Sequence, residues 1–241
     1  MADPKLDILA IAAHPDDAEL SCAGTLIKHK SQGKKVGILD LTLGELGSRG
    51  SAEIRQIEAA ASAEILGLDA RVMLDLGDGF FEINEASLKE VITHIRRFKP
   101  EIVLCNATSD RHPDHGRGSE LASRACFLSG LVKVETIFDG ELQEKWRPKA
   151  VYHYIQDRHI DPDIVIDVSN EWEQKLDSIR AFSSQFFDPD SDQPETPISS
   201  KGFWDYISAR GNYFGRNINV EYGEGYTVER AIGVDDLTTL I

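Results

Sequence analysis

Four short apolar runs, at 8–13, 36–41, 72–76 and 102–107, punctuate the first half of the chain, and each is nearly continuous instead of alternating. A strand buried on both faces leaves that signature. Between the runs, apolar residues recur at helical spacing over 20–31, 52–66, 88–98 and 120–128. Ala59, Ala60, Ala61, Ala63, Ile65 and Leu66 mark the second of these as a helix, because straight-chain and alanine residues lose little freedom there. Gly33 and Gly67 stand where helices are expected to stop. Lys99-Pro100 separates the third helix from the fourth strand, since a residue before proline is pushed out of helical backbone.

Strands alternating with helices predict the α/β class: a Rossmann-like, mostly parallel sheet with helices on both faces. Runs at 150–155 and 164–168 extend that sheet, and 172–182 reads as a helix with Trp172, Leu176, Ile179 and Phe182 along one side. The segment 188–202 (DPDSDQPETPISSKG) is polar and rich in proline and acid. It reads as a solvated loop, with a lid ordering over substrate as the alternative.

At 241 residues and 41% hydrophobic content the chain is long enough for one sizeable domain over 1–241. Its net charge of -15 works against phosphate backbones and anionic lipid, so neither nucleic acid nor a membrane is an expected partner. No apolar stretch reaches the ~20 residues that span a bilayer. The opening MADPKLDILAIAAHPDD has no basic leader followed by an apolar segment, and the expected location is the cytoplasm. Cys22, Cys105 and Cys126, odd in number and without C-x-x-C spacing, read as reduced thiols filling the core.

In an open parallel sheet, ligands collect beyond the carboxyl ends of the strands. Two unusual segments fall there: His14-Pro15-Asp16-Asp17 after the first strand and Asp110-Arg111-His112-Pro113-Asp114-His115 after the fourth. Each proline holds the preceding histidine in an extended conformation, out from the strand end. His14, Asp17 and His115 would supply three ligands of imidazole and carboxylate type to a cation such as Zn²⁺, leaving a position open for water. Asp16 would take a proton from that water, and His112 would stabilise an oxyanion or protonate a leaving amine, with Asp114 orienting it. The competing structural reading makes Asp17 and Asp114 helix caps and each histidine a hydrogen-bonded strand-end residue.

AHPDDAE (13–19) with DRHPDH (110–115) resembles the LmbE/PIG-L family of zinc-dependent N-acetylglucosaminyl deacetylases, and counterparts at 39–59, 97–103, 163–169 and 184–186 extend the likeness over nearly the whole chain. Within the family, the likeness is greatest to enzymes that deacetylate N-acetylglucosaminyl malate in bacillithiol biosynthesis. The resemblance implies the LmbE-like fold. It implies His14, Asp17 and His115 as zinc ligands (Fe²⁺ accepts the same set), Asp16 as general base, and His112 as the transition-state histidine with Asp114 as its partner. It also implies substrate contacts from Arg55 and from Asp78, which is followed here by Gly79 where relatives carry arginine, and points to Arg111 beside the motif. Arg49 reads as a surface residue. A C-terminal substrate tyrosine is not assigned between Tyr206 and Tyr213. The expected partner is a small N-acetylglucosamine conjugate, and relatives that assemble as trimers or hexamers imply a homo-oligomer. The alternatives are a deacetylase or amidase for another glucosaminide or thiol conjugate, and a non-catalytic nucleotide- or metal-binding module. HPDD in place of G-x-G-x-x-G after the first strand speaks against a dinucleotide.

Overall fold

A computed structural model of the chain describes residues 3–186 and 192–240. The four early runs are strands β1 (Ile8–Ala12), β2 (Val36–Asp40), β3 (Ala70–Met73) and β4 (Ile102–Cys105). Helices α1 (Asp17–Ser31), α2 (Ala52–Leu66), α3 (Glu85–Phe98) and α4 (Pro113–Leu128) follow them in turn. Three of these helices begin before their apolar pattern does, because their first turns are built from polar residues. Asn84 caps α3 by accepting from Ala86 N and Ser87 N, and His112 caps α4 with Pro113 at its first position.

A short hairpin, β5 (Ile137–Phe138) and β6 (Glu141–Leu142), leads to β7 (Ala150–Tyr154), β8 (Ile164–Asp167), α5 (Trp172–Arg180), α6 (Lys201–Asn217) and β9 (Gly223–Val228). The seven-stranded sheet runs β3-β2-β1-β4-β7-β9-β8. Strands β1 to β4 and β7 are parallel, whereas β9 is antiparallel to both neighbours. Of the predicted loop at 188–202, residues 188–191 lie outside the described residues, and Lys201 and Gly202 belong to α6.

Side chains alternate across the central strands into two cores. Leu9, Ile11, Leu39, Val103 and Cys105 pack with α3 and α4, while Ile8, Ala10, Ala12, Ile38 and Leu104 pack with α1. A third cluster places Trp172, Leu176, Ile179 and Phe182 of the predicted stripe against Ala59 of α2 and Ile207 of α6. Cys22, Cys105 and Cys126 are buried and free.

His94 on α3 lies between the rings of Phe98 and Phe138. Burial, reinforced by the charge of Arg97, pushes it down to about 4. A histidine depressed in this way is neutral in the folded state, so its contribution is complete above the unfolded value near 6.5 and is lost as pH falls toward 4. Between pH 7.5 and pH 5 the wild type is expected to lose about 2 kcal/mol relative to His94→Leu in urea unfolding. An unchanged difference at the two pH values would rule out this titration.

Candidate active site

Between β2 and β4, strand β1 is where the direction of chain progression across the sheet reverses, and both predicted segments emerge at that carboxyl edge. Asn106, just past β4, joins the two ends. Its Oδ1 accepts from Ala13 N (2.9 Å) and its Nδ2 donates to Asp17 Oδ2 (3.0 Å). A cleft of about 320 Å³ opens over them, lined by His14, Asp16, Asp17, Arg55, Asp78, Arg111, His112 and His115, among others.

Asp17 sits at the centre of the polar cluster. His14 N donates to its Oδ2 (3.0 Å) and Gln156 Nε2 to its Oδ1 (3.0 Å). His14 Nδ1 lies 3.5 Å from Oδ2, and His115 Nε2 lies 3.0 Å from Oδ1. The far nitrogen of each ring is tied to an outer carboxylate. His115 Nδ1 meets Asp110 Oδ2 at 2.5 Å, and His14 Nε2 meets Asp78 Oδ1 at 3.0 Å and Asp114 Oδ2 at 3.3 Å. Metal-ligating histidines commonly carry such an arrangement, one nitrogen anchored behind and the other presented forward.

Charge makes the same point. Asp16, Asp17, Asp78, Asp110 and Asp114 are all buried, and two guanidiniums reach them: Arg55 on Asp16 (3.0 Å) and Arg117 on Asp114 (2.7 Å). Burial opposes charge on His14 and His115, but the surrounding carboxylates outweigh it. His14 is held well above the ordinary range, and His115 is raised to about 9. Surplus buried negative charge has to be met by a proton or another cation. The donor set of two imidazoles and one carboxylate therefore fits a divalent ion. Among the described residues, the groups whose donors all lie within 4.8 Å of one another are His14, His112 and His115, and His14, Asp78 and Asp114; Asp17, expected as the third ligand, meets the two histidines pairwise but is in neither group. The second group is already closed by hydrogen bonds to His14 Nε2.

Asp16 occupies the cap position of α1, yet its side chain caps nothing. Its backbone is left-handed (φ 113°, ψ -23°), a conformation that costs a non-glycine residue on the order of 1–3 kcal/mol and concentrates at functional sites. The carboxylate turns instead to Arg55 Nη1, and burial, partly offset by Arg55, pushes it up to about 6. Gly44 (φ +66°) permits this pairing, because a Cβ there would stand 2.9 Å from the Arg55 guanidinium. Arg55, expected to meet substrate, thus lines the cleft while holding Asp16.

His112 Nδ1 accepts from Asp114 N (3.3 Å), which leaves the proton of a neutral ring on Nε2. Burial, with the charges of His14 and His115, holds this imidazole below its usual range. The contact from Asp114 to this ring is made by its backbone N–H, whereas the expected partner was its carboxylate. That carboxylate accepts from Gly79 N (2.7 Å) and Arg117 Nη1 besides meeting His14. Asp78 likewise supports His14 while lining the cleft.

Arg111 stands at the rim, paired with Asp157 (3.2 Å). Arg49 is buried, contrary to expectation, and its Nε donates to the Ser184 carbonyl (2.8 Å). Tyr206 bonds to the Asp157 carbonyl, and Phe203 and Arg210 are the α6 side chains that line the cleft.

Several contributors were not singled out in the sequence. Asp110 was visible within DRHPDH but had no assigned role. Gln156 and Arg210 lie far along the chain, with no motif around them. Glu19, the last residue of AHPDDAE, reaches away from the cleft to Ser62 and Arg71 (both 2.6 Å), and Arg71 also clasps Asp40. That buried network fixes the first turn of α1 against β2, β3 and α2.

Residues 9–126 match the family described as PIG-L: GlcNAc-PI de-N-acetylase. The diacetylchitobiose deacetylase of Thermococcus kodakarensis is 30% identical over 232 residues, covering 90% of this chain and 81% of that protein. The 4-oxalmesaconate hydratase of Pseudomonas putida is 24% identical over 250 residues, covering 93% and 90%. Among solved structures, a conserved protein from Thermus thermophilus superposes with a TM-score of 0.84 at 33% identity, covering 95% of this chain and 98% of that one.

Proposed function

Because the chain belongs to the PIG-L family of de-N-acetylases, we propose that it hydrolyses the acetamide of an N-acetylglucosamine conjugate to acetate and the free amine. One observation carries this reading: two histidines, each anchored behind by a carboxylate, turn their other nitrogens toward Asp17 in a cleft with surplus buried negative charge. His14, Asp17 and His115 would hold the ion, Zn²⁺ or Fe²⁺. When bound, the ion supplies Lewis acidity that polarises the acetyl carbonyl and acidifies water.

The remaining steps belong to side chains of the chain. Asp16 accepts a proton from the attacking water on its carboxylate, held in place by Arg55, and returns it to the departing nitrogen. His112 donates from Nε2 to the oxygen that gains charge as the carbonyl carbon becomes tetrahedral, and the Asp114 N–H fixes the ring for this donation. Asp110, Asp78 and Asp114 hold the two ligand rings in orientation.

In its finer form, the proposal makes the conjugate N-acetylglucosaminyl malate, the bacillithiol precursor. Arginines at the cleft of an otherwise acidic protein support an anionic aglycone. The test is acetate release from a panel of N-acetylglucosaminides by metal-quantified protein, with and without a chelator. Release is expected, is abolished by the chelator and is restored by added metal. Hydration of 4-oxalmesaconate with no acetate released from any amide would overturn the reading in favour of chemistry like that of the hydratase relative.

A further inference from the structure

Arg55 and Arg111, two of the arginines lining the cleft, each hold a carboxylate of the protein. Arg210 is different. Its Nη1 donates to the Gln156 carbonyl, its Nη2 donates to the Leu20 carbonyl (2.8 Å), and its guanidinium lies over the Tyr206 ring. Among the described residues, no carboxylate pairs with it. A guanidinium has five N–H donors, so donors beyond those given to Gln156, Leu20 and Tyr206 remain for a ligand. Ser21, also lining the cleft, is buried, and its Oγ has no hydrogen-bond partner among the described residues. Ser21 and Arg210 also border one small recess, which the Lys175–Glu224 ion pair lines as well. Two independent donors, one charged and one neutral, thus lie side by side in the lining of the site.

The position has a chemical meaning. Ser21 follows Asp17 by four residues, so the two lie on one face of α1 about 6 Å apart along its axis. In a 2-acetamido sugar, the reacting amide and the aglycone occupy neighbouring ring carbons. With the acetamide at Asp17, a short aglycone on C1 reaches about one helical turn away. We propose that Arg210 and Ser21 form the subsite that receives a carboxylate of the aglycone, and so determine specificity for acidic conjugates. This rests on the deacetylase reading above.

The test compares kcat/KM of metal-loaded protein on N-acetylglucosaminides bearing malate, malate diamide, methyl and phosphate at C1. Wild type is expected to prefer malate over its diamide by about 10- to 100-fold, the range of a hydrogen bond to a charged group. Arg210→Gln should bring that ratio close to one, Arg210→Lys should retain part of it, and Ser21→Ala should lower it. A purely structural clamp would instead depress both substrates equally and leave the ratio intact, which would overturn the subsite. Equal rates on malate and diamide with wild type, or preference for phosphate over malate, would overturn it without recourse to any variant. Acetate from the methyl glucosaminide in those cases leaves the deacetylase reading standing. No acetate from any of the four would remove that reading and the subsite with it.

Discussion

Asp16→Asn is expected to lower kcat by about 10²–10⁴-fold while bound metal stays near the wild-type level. Asparagine keeps the size of the side chain and an acceptor for Arg55, so the left-handed turn and its guanidinium contact survive. What disappears is a carboxylate able to take a proton, in a pocket that other bases reach poorly. Asp17 is occupied by Gln156, Asn106 and the two histidines, and Asp78 and Asp114 are engaged with His14. Elemental analysis and acetate-release kinetics on one preparation separate the two effects. Near-normal turnover would eliminate Asp16 as the base, and lost metal would mean that Asp16 belongs to the ligand set.

His115→Ala has the second large expected effect: metal affinity falls by more than about 100-fold, with activity falling in step. The comparison is with changes to outer partners of such ligands, which typically cost 10–100-fold, and His115 is the inner group. Asp110→Asn tests that outer level. It weakens ion binding less than loss of His115 does, because the ligand itself remains, although asparagine supplies no charge behind the ring and has one oxygen to serve both His115 Nδ1 and Arg158 N. Equilibrium dialysis against a metal buffer gives both constants. Unchanged binding in His115→Ala would remove His115 from the ligand set.

Much of this was readable from the residues alone, for physical reasons. Continuous apolar runs identify strands covered on both faces, and the alanine-rich 52–66 segment is helical from end to end in the structure. Both histidine–proline segments reach the predicted edge because each follows the carboxyl end of one of two adjacent parallel strands, β1 and β4. Helix α6 was missed because its pattern is blurred by glycine. A Cβ at Gly211 would stand 2.4 Å from the Trp172 ring, so the residue that weakens the helical signal is the one that lets α6 pack. Strand β9 was missed for a related reason: Gly223 and Gly225 interrupt any apolar run. Asp114 meets His112 through its backbone N–H, a distinction of a few ångströms that residue identity does not encode. Arg49 was misplaced because a lone arginine in a polar loop gives no sign that the Ser184 carbonyl waits beneath it.

The middle of α1 is gripped from the far end of the chain. Glu224, itself joined to Lys175 (2.5 Å), accepts from Gly24 N and Thr25 N, and Arg210 takes the carbonyl of Leu20 one turn earlier. These contacts join residues about 190 to 200 positions apart, and loops of that length close late in folding. A ribosome-bound intermediate that has completed its first four strands therefore still lacks the clasp on the helix bearing Asp17. With His14, Asp17 and His115 as the proposed ligands, tight capture of an ion is expected late in the life of the nascent protein, and ion uptake timed against synthesis would report arrival of β9.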